Sequence, residues 1–213
     1  MRELAVLILG FAAILYAQDP PSPAEGDLVF GTTVVRPSGL KGDIYMLKRG
    51  TDSLPNFRKL EPVGAIYTDV LNVPPRNAFT LGFPGVEKRS EYFAIDYNGR
   101  FWVENPGKYE FAMISDDGSK LYIDGHTIID NDGVHASVAR GGTAKLSGGI
   151  HTIRVSYFQG PCGDKEVMCV QLELGVKGPR DEKFRYFSTD EFKPPVNPSD
   201  WKYGDATVEP KKK

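Results

Sequence analysis

The clearest patterning in the chain lies in residues 109–132, which read YEFAMISDDGSKLYIDGHTIIDND. Tyr109, Phe111 and Met113 share one face of an alternating run. Leu121 and Ile123 share one face of the next, with Lys120, Tyr122 and Asp124 opposite. A period of two marks half-buried strands. Asp116, Asp117 and Gly118 separate the two runs, and Asp124 with Gly125 separates the second from a third. The alternation returns downstream: His151, Ile153, Val155 and Tyr157 oppose Thr152, Arg154, Ser156 and Phe158, and Val170, Leu172 and Leu174 oppose Gln171 and Glu173. Upstream, LVFGTTVV and GDIYML are strand-like. Residues 92–103 predict a hairpin, two apolar-rich arms around Asn98 and Gly99, a pair favoured in type I′ turns.

Other stretches are less regular. Residues 51–62 are turn-rich, with one helical turn expected within 54–60. Residues 63–73 predict a strand that Pro74 and Pro75 end. Residues 76–90 follow neither period and predict a long covering loop anchored by Phe79 and Phe83; long ordered loops are uncommon and often functional. After Phe192 all periodicity is lost. Many short strands between turn signals predict an all-β fold, an antiparallel β-sandwich with long covering loops. The 40% hydrophobic content and 12 Phe suffice for a core, while 23 Gly and 16 Pro favour turns over helices. Trp102, between Phe101 and Val103, is expected to be buried rather than a binding platform.

The ends change the picture of where the protein works. Arg2 precedes an apolar run from Leu4 to Tyr16, too short for a comfortable membrane span. Small Ala17 ends the run, Leu15 and Ala17 make an acceptable cleavage site, and the flank turns polar at once. The expected organisation is a signal peptide at 1–17, a linker at 18–26, a β-sandwich domain at 27–192 and a flexible polar tail at 193–213. Export to a secreted or cell-envelope compartment follows, with no membrane insertion after cleavage. Cleavage removes Arg2 and Glu3 together, so the formal charge stays at -2. A nearly neutral domain lacks the electrostatic footprint of a nucleic-acid binder.

Chemistry concentrates at Asp116 and Asp117. Two adjacent carboxylates in one turn repel unless a cation or several donors lie between them. The bland alternative is a turn whose carboxylates accept backbone N–H bonds. Asp130, Asn131, Asp132 and Gly133 lack the alternating ligands and closing Glu of an EF-hand and predict an ordinary turn. His126, His135 and His151 have no zinc-site spacing. Ser115 has no nucleophile-elbow setting, and adjacent carboxylates do not flank a substrate from opposite sides. No enzymatic activity is expected. Cys162 and Cys169 are the only cysteines; in an oxidising compartment they are expected to form a disulfide, the alternative being two free thiols with Cys169 buried.

SDDGSKLYIDG, then IIDNDGVH, then GGIHTIRVSYFQGP resemble the PA-14 domain, a family named after a fragment of anthrax protective antigen. The likeness runs from about residue 39 to about residue 187 and includes GLKGDIYML, LNVPPR, GFPGV, YFAIDYNGRFWVENPGKYEF and LELGVKGP. The resemblance implies a β-sandwich that often binds carbohydrate, here a glycan or cell-surface polysaccharide. In calcium-dependent lectin members two consecutive Asp, joined by a cis peptide, bind the ion that ligates sugar hydroxyls; they correspond to Asp116 and Asp117. The loop between the last two strands supplies an Asn in those relatives. Here that loop, 159–168, has no Asn, and Asp164 is the nearest substitute ligand. Gln159 and Gly160, with the loop around Asp164, are expected to hydrogen-bond the rest of the sugar. A rival reading is a structural or protein-interaction module without metal, and a third is a hydrolase accessory domain.

Overall fold

The alternating runs form two antiparallel sheets in the computed structural model, which describes residues 39–86, 89–163 and 168–208. The first sheet contains β1 (Leu40–Met46), β2 (Gly64–Thr68), β4 (Phe93–Val103), β6 (Ser119–Ile123), β7 (His126–Asn131) and β9 (Gly149–Gln159), in the order β2-β1-β4-β9-β6-β7. The second contains β3 (Asn72–Asn77), β5 (Gly107–Asp116), β8 (Val138–Leu146), β10 (Met168–Lys177), β11 (Arg185–Tyr186) and β12 (Ala206–Thr207). Its order is β11-β10-β5-β8-β12, with β3 also pairing β10. These residues belong to one compact unit, Arg36–Lys213. The expected signal peptide, linker and first residues of the domain lie outside the described residues.

Alternation places the core between the sheets. Phe93, Ile95, Tyr97 and Phe101 from β4, Phe111 and Met113 from β5, Val155 and Tyr157 from β9, and Leu172 and Leu174 from β10 are all buried together. Each such side chain contributes about 1.5–3 kcal/mol by leaving water. The expected helical turn is a short 3-10 helix, Phe57–Lys59, capped by the Asn56 side chain.

Four local expectations are corrected. Asn98 and Gly99 do not turn the chain: β4 runs straight through them and pairs with β9 from Phe93 to Val103. The reason is packing rather than conformation. A Cβ on Gly99 would sit 2.6 Å from Leu40 Cδ2 and 3.2 Å from the Gly39 carbonyl, so glycine here permits close approach within a strand. Pro74 and Pro75 do not end a strand but lie inside β3, whose pairing with β10 is interrupted by register shifts. Proline removes a donor, which an edge strand tolerates. Of the two expected loop anchors, Phe83 is buried against Phe93 and Tyr157, whereas Phe79 is exposed.

The fourth correction concerns the tail. Residues 193–208 are docked: Ile150 N–H donates to Lys202 O, Gly204 N–H to Ile150 O, and Ser147 N–H to Asp205 O. Beyond them, β12 pairs with β8 at Leu146 and Lys145. Backbone hydrogen bonding needs no side-chain period, so a Pro-rich stretch can dock while its sequence reads as tail. Residues 209–213 lie outside the described residues.

Candidate functional site at a crossover corner

Asp116, Asp117 and Gly118 do not join neighbouring strands. β5 belongs to one sheet and β6 to the other, so the chain crosses between sheets at these residues. The β7-to-β8 and β9-to-β10 connections cross at the same end, since Ser119 pairs with Asn131 and Tyr157, and Ser115 with Val138 and Leu172. Three inter-sheet crossovers therefore meet around the acidic pair. Beneath it a buried polar clamp ties the strand ends: Ser115 Oγ and Ser119 Oγ are 2.6 Å apart, and Asn131 Nδ2 donates to Ser115 Oγ (2.9 Å) and to Val138 O (3.2 Å).

The Asp116–Asp117 peptide is cis, as the resemblance to the lectin members implied. Asp117 is almost fully buried. Its Oδ1 accepts from the His135 N–H (3.1 Å), and its Oδ2 from Gln159 Nε2 (3.0 Å) and the Gly160 N–H (2.8 Å). Burial pushes the Asp117 carboxyl above the usual carboxylate range, against the pull of the Gly160 and His135 amides. Asp116 is pushed up to about 6, by burial first and then by the Asp117 charge. Among the described residues no Lys or Arg forms a salt bridge with either carboxylate. Among the same residues, His135 is the one titratable group whose charge pulls either carboxyl down.

The bland reading of this turn is thus partly true for Asp117, which holds three protein donors. Gln159 was expected to face the ligand, but it is fully buried and its amide is used on Asp117 Oδ2 and the Tyr157 hydroxyl. It orients the acid. Gly160, expected on the ligand edge, gives its N–H to Asp117 and comes so close that an added Cβ would lie 3.3 Å from Asp117 Oδ2. Asp164 lies outside the described residues. The His135 amide and the Ser115, Ser119 and Asn131 clamp were missed. A backbone donor has no signal in residue type, and small polar residues on strands look like surface.

A family model described as the PA14 domain matches residues 76–185, more than half of the chain. The chain belongs to the PA14 domain family. No curated protein matches it in sequence. Solved structures agree in fold. The PA14 sugar-binding domain from an RTX adhesin superposes with a TM-score of 0.53 at 17% identity, covering 71% of this chain and 96% of that one. The epithelial adhesin 9 A domain from Candida glabrata, solved with Galβ1-3GlcNAc, gives 0.52 at 15% identity, covering 72% and 87%. An anti-sigma factor domain-containing protein from Clostridium clariflavum gives 0.55 at 18% identity, covering 75% of this chain and 48% of that one. This chain spans about half the length of that protein and of a second of the same description.

The PA14 corner has a donor set of the right chemistry for calcium, which takes six to eight oxygen ligands. A carboxylate offers about four lone-pair positions. Asp117 has three filled by protein donors, so one on Oδ1 stays open, and Asp116 adds its own carboxylate, which already meets the Ser137 N–H. No third His, Cys, Asp or Glu completes a metal cluster among the described residues. The remaining oxygens would have to come from backbone carbonyls, water and the loop that carries Asp164.

The base of that loop is closed by a disulfide between Cys162 and Cys169, both buried, and the Cys162 N–H donates to Glu91 Oε1 at 2.6 Å. Closing so short a loop contributes roughly 2–3 kcal/mol by chain entropy. Reduction, or Cys162→Ser with Cys169→Ser, is expected to cost that amount in a urea melt. A midpoint unchanged by reduction would show that the loop is held by other contacts.

Proposed function

We propose that this PA14 domain is a non-catalytic carbohydrate-binding module acting outside the cytoplasm, in which Asp116 and Asp117 hold a calcium ion that sugar hydroxyls complete as ligands. The observation that carries the reading is the adjacent acidic pair, without a Lys or Arg partner among the described residues, at the meeting of three crossovers, with Asp116 pushed up to about 6. A buried like-charge pair is costly alone and becomes favourable once a cation sits between its members. The sugar-binding and adhesin folds resembling this chain supply the ligand class, and the disulfide suits an oxidising compartment. Asp164 is the proposed third side-chain ligand. Gln159 and the Gly160 amide hold the Asp117 carboxylate in place.

The test is thermal unfolding in excess calcium and in chelator. Calcium at a hundred times its Kd stabilises by about 2.7 kcal/mol, a Tm rise of about 5–10 °C for a chain of this size. Asp117→Ala should abolish the shift, but it also strips partners from three donors. Asp116→Asn is the cleaner variant, because it removes one of two repelling charges and leaves every bond to Asp117 in place. It should melt no lower than the parent in chelator and gain nothing from calcium. Superimposed parent curves with and without millimolar calcium would overturn the metal. An array of neutral glycans probed in calcium then tests the sugar, and an array blank in calcium and in chelator alike would overturn the carbohydrate reading.

A further inference from the structure

A second feature lies away from the acidic corner, on the outward face of the first sheet. Cross-strand register lines up Lys41 on β1, Asn98 on β4, Arg154 on β9 and Tyr122 on β6. With strands about 4.8 Å apart, this row is about 14 Å long. It floors a groove of about 680 Å³ whose lining includes Arg58 and Arg100 and contains no acidic residue. Four cations thus share one groove on a chain of formal charge -2.

The central cation is held rigidly. Arg154 Nε donates to both Asp96 oxygens (2.8 and 3.1 Å), and buried Asp96 also accepts from Ser156 Oγ at 2.6 Å. The guanidinium carbon lies 5.5 Å from the Phe57 ring centroid and 5.2 Å from that of Tyr122. Fixing Nε and packing the guanidinium beside two rings leaves its terminal N–H groups to meet a ligand, and a guanidinium fork matches a carboxylate. Lys41 is engaged by Asp43 at 2.7 Å. Arg58 and Arg100 are exposed and form no salt bridge among the described residues.

We infer that this groove is a second ligand site, for a carboxylated polysaccharide. Arg154, Arg58 and Arg100 would meet the carboxylates, and the Asn98, Thr152 and Tyr122 side chains interleave neutral hydrogen-bonding groups for hydroxyls. That mixture fits a polymer with one charge and several hydroxyls per unit. A polyphosphate is the poorer match: Lys41 and Arg154 are already paired with Asp43 and Asp96, which leaves few cations for a charge on every unit, and the neutral side chains between them would have no hydroxyls to meet. The ligand approaches a sheet face rather than the crossover corner, so the inference does not depend on calcium.

The experiment measures binding of polygalacturonate to the purified protein in chelator at low salt, beside its fully methyl-esterified form and a single-stranded DNA oligonucleotide of similar length. The acid form should bind, with affinity falling as salt rises, and the esterified form should bind at least tenfold more weakly. Arg58→Gln combined with Arg100→Gln should weaken binding tenfold or more at an unchanged Tm. No binding of the acid form, equal binding of the ester, or indifference to the double substitution would each overturn the proposal. Tighter binding of the oligonucleotide would replace it with a nucleic-acid face. Because calcium is absent, failure here leaves the acidic corner untouched.

Discussion

Gly118→Ala is expected to lower stability by about 3 kcal/mol or more, the upper end of overpacking effects, with a Tm fall of about 6–12 °C for a chain of this size. A Cβ at this position would lie 2.3 Å from Phe158 Cε1, 2.8 Å from Gly133 N and 2.9 Å from Gly133 O. Two of the three obstacles are backbone. The third is a fully buried ring packed with Tyr45, Leu47 and Ala94. Nothing there can yield cheaply, because Phe158 N–H also donates to the Gly118 carbonyl at 2.9 Å. Pushing Gly133 outward would carry the following residues with it, including the His135 amide that holds Asp117 Oδ1. The substitution should therefore weaken any calcium-dependent shift as well as the fold. Gly163→Ala, with no atom within 4 Å of the added carbon, is the matched control and should stay within about 0.5 kcal/mol of the parent. A Gly118→Ala protein melting with the parent would show that the two crossovers do not approach as closely in solution.

That glycine also marks what a single sequence can and cannot convey. The period of two located β5, β6, β9 and β10 because each has one face in the core and one outside, and side-chain character records burial directly. The acidic pair was legible because adjacent Asp residues are electrostatically conspicuous. The surroundings of the pair were not. The His135 N–H and the Gly160 N–H are backbone groups, common to all residues except proline. Gln159 was readable as polar but not as buried, since its place at the end of β9 depends on which sheet the following loop enters. Asn98 and Gly99 misled for the converse reason: a turn-favouring pair is also what a strand uses where a neighbouring backbone must come close. The docked residues up to Val208 were hidden by the same rule, since the bonds from Ile150 and Gly204 are made by main chain alone.

A second pH dependence should come from His151 and Asp124, away from the acidic corner. The ring is fully buried, with Nδ1 2.6 Å from Asp124 Oδ2 and Nε2 3.0 Å from Ser147 O. Both neighbours accept, and only a protonated ring donates from both nitrogens. Burial pulls the His151 pKa down, but the bonds to Asp124 and Ser147 and the charges of Asp124 and Asp205 outweigh it and leave the value raised. Burial pushes Asp124 up, yet His151 and the Thr152 donors leave it lowered. The two shifts define a window. A raised histidine stabilises fully below its unfolded value of about 6.5 and loses that contribution as pH rises through the folded value. A lowered aspartate stabilises above its unfolded value of about 3.9 and loses it as pH falls through the folded value. The pair's contribution should therefore be greatest between about pH 4 and 6.5 and fade on either side of it. Asp124→Asn should cost about 3 kcal/mol at pH 6, in the range for breaking a buried pair, and the difference from the parent should shrink by pH 8.5. The docked tail should loosen with it: a Cβ on Gly204 would stand 2.1 Å from His151 Nε2, so Gly204 packs directly on the ring. Melting curves of both proteins across pH 5 to 8.5, with limited proteolysis of the C-terminal segment, test this together. A stability difference that grows toward pH 8.5 would mean the ring is neutral throughout, and the charged pair would have to be abandoned.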